Sequence, residues 1–113
     1  MSAIFRVDEH DVAWFEYGDA TGPDGSAAIK VKGLTVRHPE VPPVQYIQYA
    51  PGHTDPVHSH DVGEVFVIVD GDLYVNDERS GAGSIVFVPR DTEYAVRAGE
   101  KGVRYFRVVV DSA

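Results

Sequence analysis

Short apolar runs, broken by turn-forming residues, limit most strongly what this chain can fold into. Aromatic and β-branched residues cluster in these runs, and Gly, Pro, Asp and Asn separate them at close intervals, which is typical of an all-β protein. No stretch carries a sustained helical period. The runs predict strands at residues 4–7, 13–17, 28–36, 44–49, 64–69, 72–75, 84–88, 94–97 and 103–110.

Two of these runs, at residues 65–69 and 85–88, are apolar on both faces. A strand of this kind needs cover on both sides. It is either an internal strand of a sandwich within one chain or a strand covered by a second subunit. With 113 residues and no cysteine, the chain is expected to form a single domain, residues 1–113, stabilised by burial, a metal or a partner subunit. A homodimer is therefore one expectation.

The charge of the chain argues against some classes of partner. The formal net charge is −8, from 18 acidic and 10 basic residues, and such a field repels phosphate backbones and anionic membrane surfaces. No apolar run approaches the roughly 18 residues of a membrane span, and the first residues do not resemble a secretory signal. We expect a cytoplasmic protein that binds neither nucleic acid nor membrane and whose partner is a small molecule.

The segment from Gly52 to Glu64 carries the residues best suited to chemistry. Side chains at i and i+2 of an extended chain share a face, so His58 and His60 can point the same way. Glu64 can join them if the intervening turn preserves the phase. Two imidazoles and one carboxylate form a mixed site for a divalent metal ion, and the open positions favour Fe²⁺, although Mn²⁺, Ni²⁺ or Zn²⁺ could use the same ligands.

The spacing of this segment resembles the first motif of the cupin superfamily. Gly52, five residues, His58-x-His60, three residues, Glu64, six residues and Gly71 match that motif at every fixed position. The resemblance implies a small single-domain cupin, folded as a double-stranded β-helix or jelly-roll barrel. It also implies that His58, His60 and Glu64 are metal ligands.

The second cupin motif is degraded. Gly83 and Pro89 are kept, but Asp91 stands where the family has Gly and Tyr94 stands where the family has a fourth metal ligand. Tyr94 could bind the metal as phenolate, act as a neutral phenol that exchanges a proton or hydrogen bond with substrate, or fill the barrel. We favour the neutral phenol, and name Tyr94 as the candidate catalytic residue, because Glu64 and a phenolate together would neutralise a divalent ion.

Four further residues are candidates for the pocket. Tyr46, Gln48 and Phe66 share one parity on strands expected to flank the site, although Phe66 fits ordinary core packing equally well. His53 lies in the same segment as the ligand pair and could replace the missing fourth ligand. A solvent-exposed His53 is the more common arrangement.

Three functions remain open from the sequence. The first is a metal-dependent enzyme acting on a small organic molecule in the barrel, either as a dioxygenase or as a Lewis-acid isomerase, lyase or cyclase. The second is metal-free acid and base catalysis by His58 or His60 with Tyr94, which the resemblance to sugar-epimerase and dehydratase cupins permits. The third is a non-catalytic barrel that binds or senses a small ligand.

Overall fold

The described part of the chain is built almost entirely of antiparallel strands. A computed structural model describes residues 4–111. The elements are a short 3₁₀ helix at Glu9–Asp11 and the strands β1 Phe15–Glu16, β2 Ile29–Gly33, β3 Val44–Tyr49, β4 Thr54–His58, β5 Gly63–Val75, β6 Glu78–Gly81, β7 Ile85–Val88 and β8 Tyr94–Asp111. The all-β prediction is confirmed. Within these residues no helix is long and apolar enough to cross a membrane.

Two long strands, β5 and β8, organise the eight-stranded sheet. They pair with each other, and the order β1-β2-β3-β8-β5-β6 is completed by β4 beside β8 and β7 beside β5. The first half of β8 pairs with β4 and its second half with β3, while β5 pairs with β7 and then with β6. Each long strand therefore has two different outer neighbours, as expected when one sheet folds over into the two layers of a jelly roll.

The sheet bends where β5 and β8 change neighbours. The register of their pairing shifts near Ile68 and again between Gly71 and Leu73. Gly71 has a φ of +78°, and a Cβ at this position would lie 2.1 Å from the carbonyl oxygen of Gly102. Only glycine permits both the left-handed backbone and the close approach of the two strands. The turn predicted at this glycine is therefore a bend within one strand.

The core lies between the layers and includes the inner face of β5. Phe66, Ile68 and Leu73 are fully buried there, packed with Tyr105 of β8 and neighbouring aliphatic side chains. The outer faces of β5 and β7 keep exposed apolar side chains, among them Phe87. The second apolar face predicted for these strands is thus uncovered in one chain. The homodimer stays a prediction.

The other differences from the predicted strands have local causes. Residues 44–49 form β3 as predicted, but residues 4–7 pair with no strand, so that prediction was wrong. The strands predicted at 64–69 and 72–75 are one strand, as are those at 94–97 and 103–110. The sequence did not predict β4, which contains a proline and a register shift, or the polar β6. Asn76 and Asp77, both at positive φ, close the tight hairpin between β5 and β6.

Candidate functional site

A cavity of about 330 Å³ lies inside the barrel and gathers the predicted functional residues. His58, His60, Glu64 and Tyr94 all line it. Aromatic and aliphatic side chains form much of the remaining wall, and its further polar groups include Gln45, Tyr49, Asp55, Tyr105 and Arg107. A mostly apolar cavity with a few convergent polar groups has the character of a small-molecule site.

The local structure explains how the two histidines reach this cavity. His58 ends β4 and is the register partner of Tyr94 on β8, so their rings lie 4.5 Å apart between centroids. The backbone N–H of Asp91 donates to the carbonyl oxygen of His60 at 2.7 Å, which ties the backbone at His60 to the turn that precedes β8. Asp91 has a φ of +58°, so the left-handed backbone persists where the cupin motif has glycine. The two imidazole centroids are 5.0 Å apart.

Glu64 is the most constrained residue of the site, because its side chain is only 1% exposed. The hydroxyl of Tyr94 donates to Oε1 at 2.7 Å, and Nε of Arg107 donates to Oε2 in an ion pair. Nη1 of Arg107 also donates to Oε1 of Gln45 at 3.1 Å. A buried carboxylate without such partners would be very costly. The charge of Glu64 is therefore balanced within the protein itself.

Tyr94 is held as a neutral phenol. Burial, together with the hydrogen bond to the Glu64 carboxylate and its negative charge, raises the pKa of Tyr94 well above its ordinary value. The hydroxyl therefore keeps its proton and donates it in a hydrogen bond at neutral pH. The neutral phenol is one of the three roles that the sequence left open for Tyr94, and its part in any chemistry stays a prediction.

The orientation of the His58 ring is fixed by the backbone. Nδ1 lies 2.7 Å from the carbonyl oxygen of Pro56, which can only accept a hydrogen bond. Nδ1 must therefore carry a proton, so whenever the ring is neutral the lone pair is on Nε2. A lone pair held in this way can accept a proton, and it can also bind a metal ion.

The three predicted ligands do not fit a metal ion as they stand. Nε2 of His60 lies 4.0 Å from Oε2 of Glu64. An ion bound to both at about 2.1 Å with tetrahedral geometry would hold these atoms about 3.4 Å apart. Both Glu64 oxygens are already hydrogen-bonded, one of them to a guanidinium cation. Among residues 4–111, no group of three His, Asp or Glu side chains is placed to hold a metal ion.

The structure places the four candidate pocket residues differently. Phe66 lines the cavity and also belongs to the hydrophobic core. Tyr46 and Gln48 do not, and that prediction is corrected: Tyr46 stacks on Trp14 and Phe106 on the other face of β3. The parity of residue numbers has no meaning between strands, since the register decides which positions share a face.

His53 is neither exposed nor among the residues lining the cavity. Its side chain is 11% exposed, and Nε2 lies 2.9 Å from Oδ1 of Asp55. The other carboxylate oxygen of Asp55 accepts a hydrogen bond from Tyr49 at 2.9 Å, and Tyr105 donates to that tyrosine at 3.0 Å. The structure thus ties His53 to a second polar network and supports neither a fourth-ligand role nor the solvent-exposed position.

Sequence reasoning missed Arg107 and Asp55 as residues of the cavity. One signal for Arg107 was present: its strand, residues 103–110, is otherwise apolar except for Arg104. The two arginines are three positions apart and so face opposite sides of the sheet. A charged side chain directed at the core implies a buried partner of opposite charge. Nothing local identified that partner as Glu64.

Comparison with known proteins agrees with the observed architecture. The sequence matches no protein-family model and no curated protein. An RmlC-like cupin from Shewanella frigidimarina superposes with a TM-score of 0.70 at 20% identity, over 96% of this chain and 91% of that one. The polyketide cyclase RemF from Streptomyces resistomycificus gives 0.72 at 20% identity, over 95% of this chain and 79% of that one.

A chain of a complex with an anti-sigma protein has a similar fold. A chain of the Rhodobacter sphaeroides complex of SigE with the anti-sigma ChrR gives a TM-score of 0.71 at 18% identity. The match covers 88% of this chain but only 50% of the other, so this chain spans half the length of that relative. At such identities the similarities establish the fold alone. The chain has the fold of a small cupin, an all-β jelly-roll barrel.

Proposed function

We propose that the cavity binds a small organic molecule and transfers a proton to or from it without a metal ion. His58 is the base, and Tyr94 is the hydrogen-bond and proton donor. The observation that supports this proposal is the pairing of two opposite functions in one cavity: an imidazole with a free Nε2 lone pair packs against a phenol that keeps its proton. Imidazole is the side chain best suited to accept a proton near neutral pH.

Each neighbouring group has a defined part in this proposal. Glu64 accepts the hydrogen bond of Tyr94 and so orients its hydroxyl. Arg107 balances the charge of Glu64, and its position in the cavity wall lets it stabilise negative charge that develops on a substrate oxygen. A proton leaves a carbon or hydroxyl of the substrate for Nε2 of His58. The Tyr94 hydroxyl has a single proton, so on substrate binding it turns from Glu64 and donates to the substrate oxygen instead. This arrangement suits isomerisation, elimination or cyclisation of a carbonyl compound.

Apolar side chains of the cavity select the body of the substrate. They include Ile29, Ile47 and Phe66, with the half-exposed Phe15 towards the rim. These side chains offer contact to hydrocarbon or a ring but no hydrogen bonds. A volume of about 330 Å³ is at the small end of known ligand sites. We therefore expect a compact molecule with one polar, enolisable end.

The test is deuterium exchange at carbon. Chelator-treated protein without a His tag is incubated in D₂O with a panel of small cyclic and aromatic ketones, and NMR follows the loss of the α-proton signal. We expect exchange in the wild type and its loss in His58→Gln. His53→Gln is the matched control, because His53 lies in the same segment but outside the cavity wall. Exchange that persists in His58→Gln, or that returns only on addition of metal, would refute the proposal.

A metal-dependent enzyme is the second candidate. Two imidazoles and a buried carboxylate line one cavity, and the bond from His58 Nδ1 to a backbone carbonyl is typical of metal-binding histidines. Bound Fe²⁺, or Mn²⁺, Ni²⁺ or Zn²⁺, would supply Lewis-acid or redox chemistry, but Glu64 would first have to be released by Arg107. Metal retained by wild-type protein and lost with His58→Ala and His60→Ala would favour this candidate.

A further inference from the structure

We infer that Arg107 keeps a latent divalent-metal site closed, and that a neutral side chain in its place lets His58, His60 and Glu64 bind a metal ion. The inference concerns the contacts of Glu64 and does not depend on the proton-transfer proposal. The inference rests on the identity of the cation that balances the negative charge of the buried Glu64 carboxylate. In this chain that cation is a guanidinium, which donates directly to Oε2 of Glu64.

The charge balance allows one cation beside Glu64. The carboxylate is 1% exposed and needs a positive partner, since an isolated buried charge is strongly unfavourable. The Arg107 side chain is itself only 20% exposed, so solvent screens it weakly. A divalent ion bound at the same carboxylate would lie within a few ångströms of the guanidinium and be repelled by it. Arginine and metal are therefore alternative partners for Glu64.

The fold holds Arg107 in this position from both sides. Its register partner on β5 is Phe66, two residues from Glu64, and its register partner on β3 is Gln45. Gln45 accepts a hydrogen bond from Nη1 of the arginine at 3.1 Å. The guanidinium is thus anchored on one side by an amide and on the other by the carboxylate. Tyr94 completes the closure by hydrogen-bonding the second Glu64 oxygen.

The histidines, in contrast, already lie together at the cavity. The orientation of His58 is already fixed by Pro56, and Nε2 is free of that bond. The His60 ring lies 5.0 Å from the His58 ring, between centroids, and both line the cavity. The component that the site lacks is an available carboxylate oxygen. Removal of the guanidinium supplies it.

The experiment compares cobalt binding to the wild type and to Arg107→Met, a substitution that removes the charge and keeps an apolar chain. Co²⁺ is titrated into protein without a His tag and followed by visible absorption and calorimetry. We expect Arg107→Met to bind one Co²⁺ per chain at least roughly 100-fold more tightly than the wild type, because a unit charge close to the ion is removed. The double variant Arg107→Met with Glu64→Gln should lose this gain.

Arg104→Met is the matched control. Arg104 also lies on β8 and donates to a glutamine on β3, Gln48, but it does not line the cavity. This variant loses the same charge from the whole chain, and its cobalt affinity should equal that of the wild type. Equal affinities in the two arginine variants would overturn the inference. So would a wild type that already binds cobalt as tightly as Arg107→Met.

Thermal unfolding gives a second readout if Arg107→Met is unstable. The unpaired carboxylate should lower the melting temperature of the metal-free variant, and Zn²⁺ should raise it far more than in the wild type. Arg107→Lys keeps the charge and should show no gain in metal affinity. An equal Zn²⁺ effect in all three proteins would contradict the inference. Loss of deuterium exchange in His58→Gln is a separate result, so the proton-transfer proposal can fail or succeed independently.

Discussion

Replacement of Tyr94 by Phe removes one atom from the centre of the site. The ring packs against His58 and Phe66 and is kept, so the change deletes the hydroxyl that donates to Oε1 of Glu64 at 2.7 Å. Both side chains are buried. A hydrogen bond to a charged group contributes about 1.5–3 kcal/mol to stability. Because Arg107 still pairs with the other oxygen of Glu64, we expect the lower part of this range, about 1.5–2 kcal/mol.

Urea denaturation at pH 7 measures this loss in the free energy of unfolding. With a slope of about 1.5–2 kcal/mol/M for a chain of this size, the midpoint should fall by roughly 1 M urea while the slope stays the same. Tyr17→Phe is the control, since Tyr17 is exposed at the cavity rim and its hydroxyl should contribute under about 0.5 kcal/mol. A Tyr94→Phe loss no larger than that of the control would refute the buried contact with Glu64.

Three further predictions follow from the backbone and the buried phenols. Gly71→Ala should destabilise the fold by more than about 3 kcal/mol in urea denaturation, since its Cβ would meet the Gly102 carbonyl oxygen at 2.1 Å. Gly83→Ala, with similar φ but open space, should cost about 1 kcal/mol; equal losses would contradict this account. Asp91→Gly should stabilise by up to about 1 kcal/mol by relieving a φ of +58°, and a loss of stability would show that the aspartate side chain matters more. Burial raises the pKa of the phenols of Tyr49, Tyr94 and Tyr105. Their stabilising effect is therefore complete below pH about 10 and is lost as pH rises through their folded pKa values. Absorbance at alkaline pH should show these phenols ionising only with unfolding, and ionisation in the folded state near pH 10 would contradict this.

Local patterns predicted the parts of the fold and site that depend on neighbouring residues. The aromatic and β-branched residues at 44–49 predicted β3, and the spacing of the first cupin motif predicted that His58, His60 and Glu64 lie together, as they do on one cavity. In each case the relevant geometry is set within about a dozen residues along the chain.

Features that depend on pairing between distant strands could not be predicted in this way. Gln48 was assigned to the cavity by parity, yet the register of β3 against β8 turns Gln45 towards Arg107 instead. The ion pair between Glu64 and Arg107 joins residues far apart in the chain, and no local pattern specifies it. The sequence indicated a buried carboxylate that needs a cation. The register of β8 against β5 places Arg107 beside Glu64 as that cation.

Metal content is the most direct test of the central claim that Arg107, and not a metal ion, balances Glu64. Untagged wild-type protein is produced in medium supplemented with iron, manganese, nickel and zinc, dialysed, and measured by inductively coupled plasma mass spectrometry. We predict well under one equivalent of any of these metals per chain, with no difference between the wild type and Glu64→Gln. Close to one equivalent in the wild type, lost in Glu64→Gln, would contradict this account.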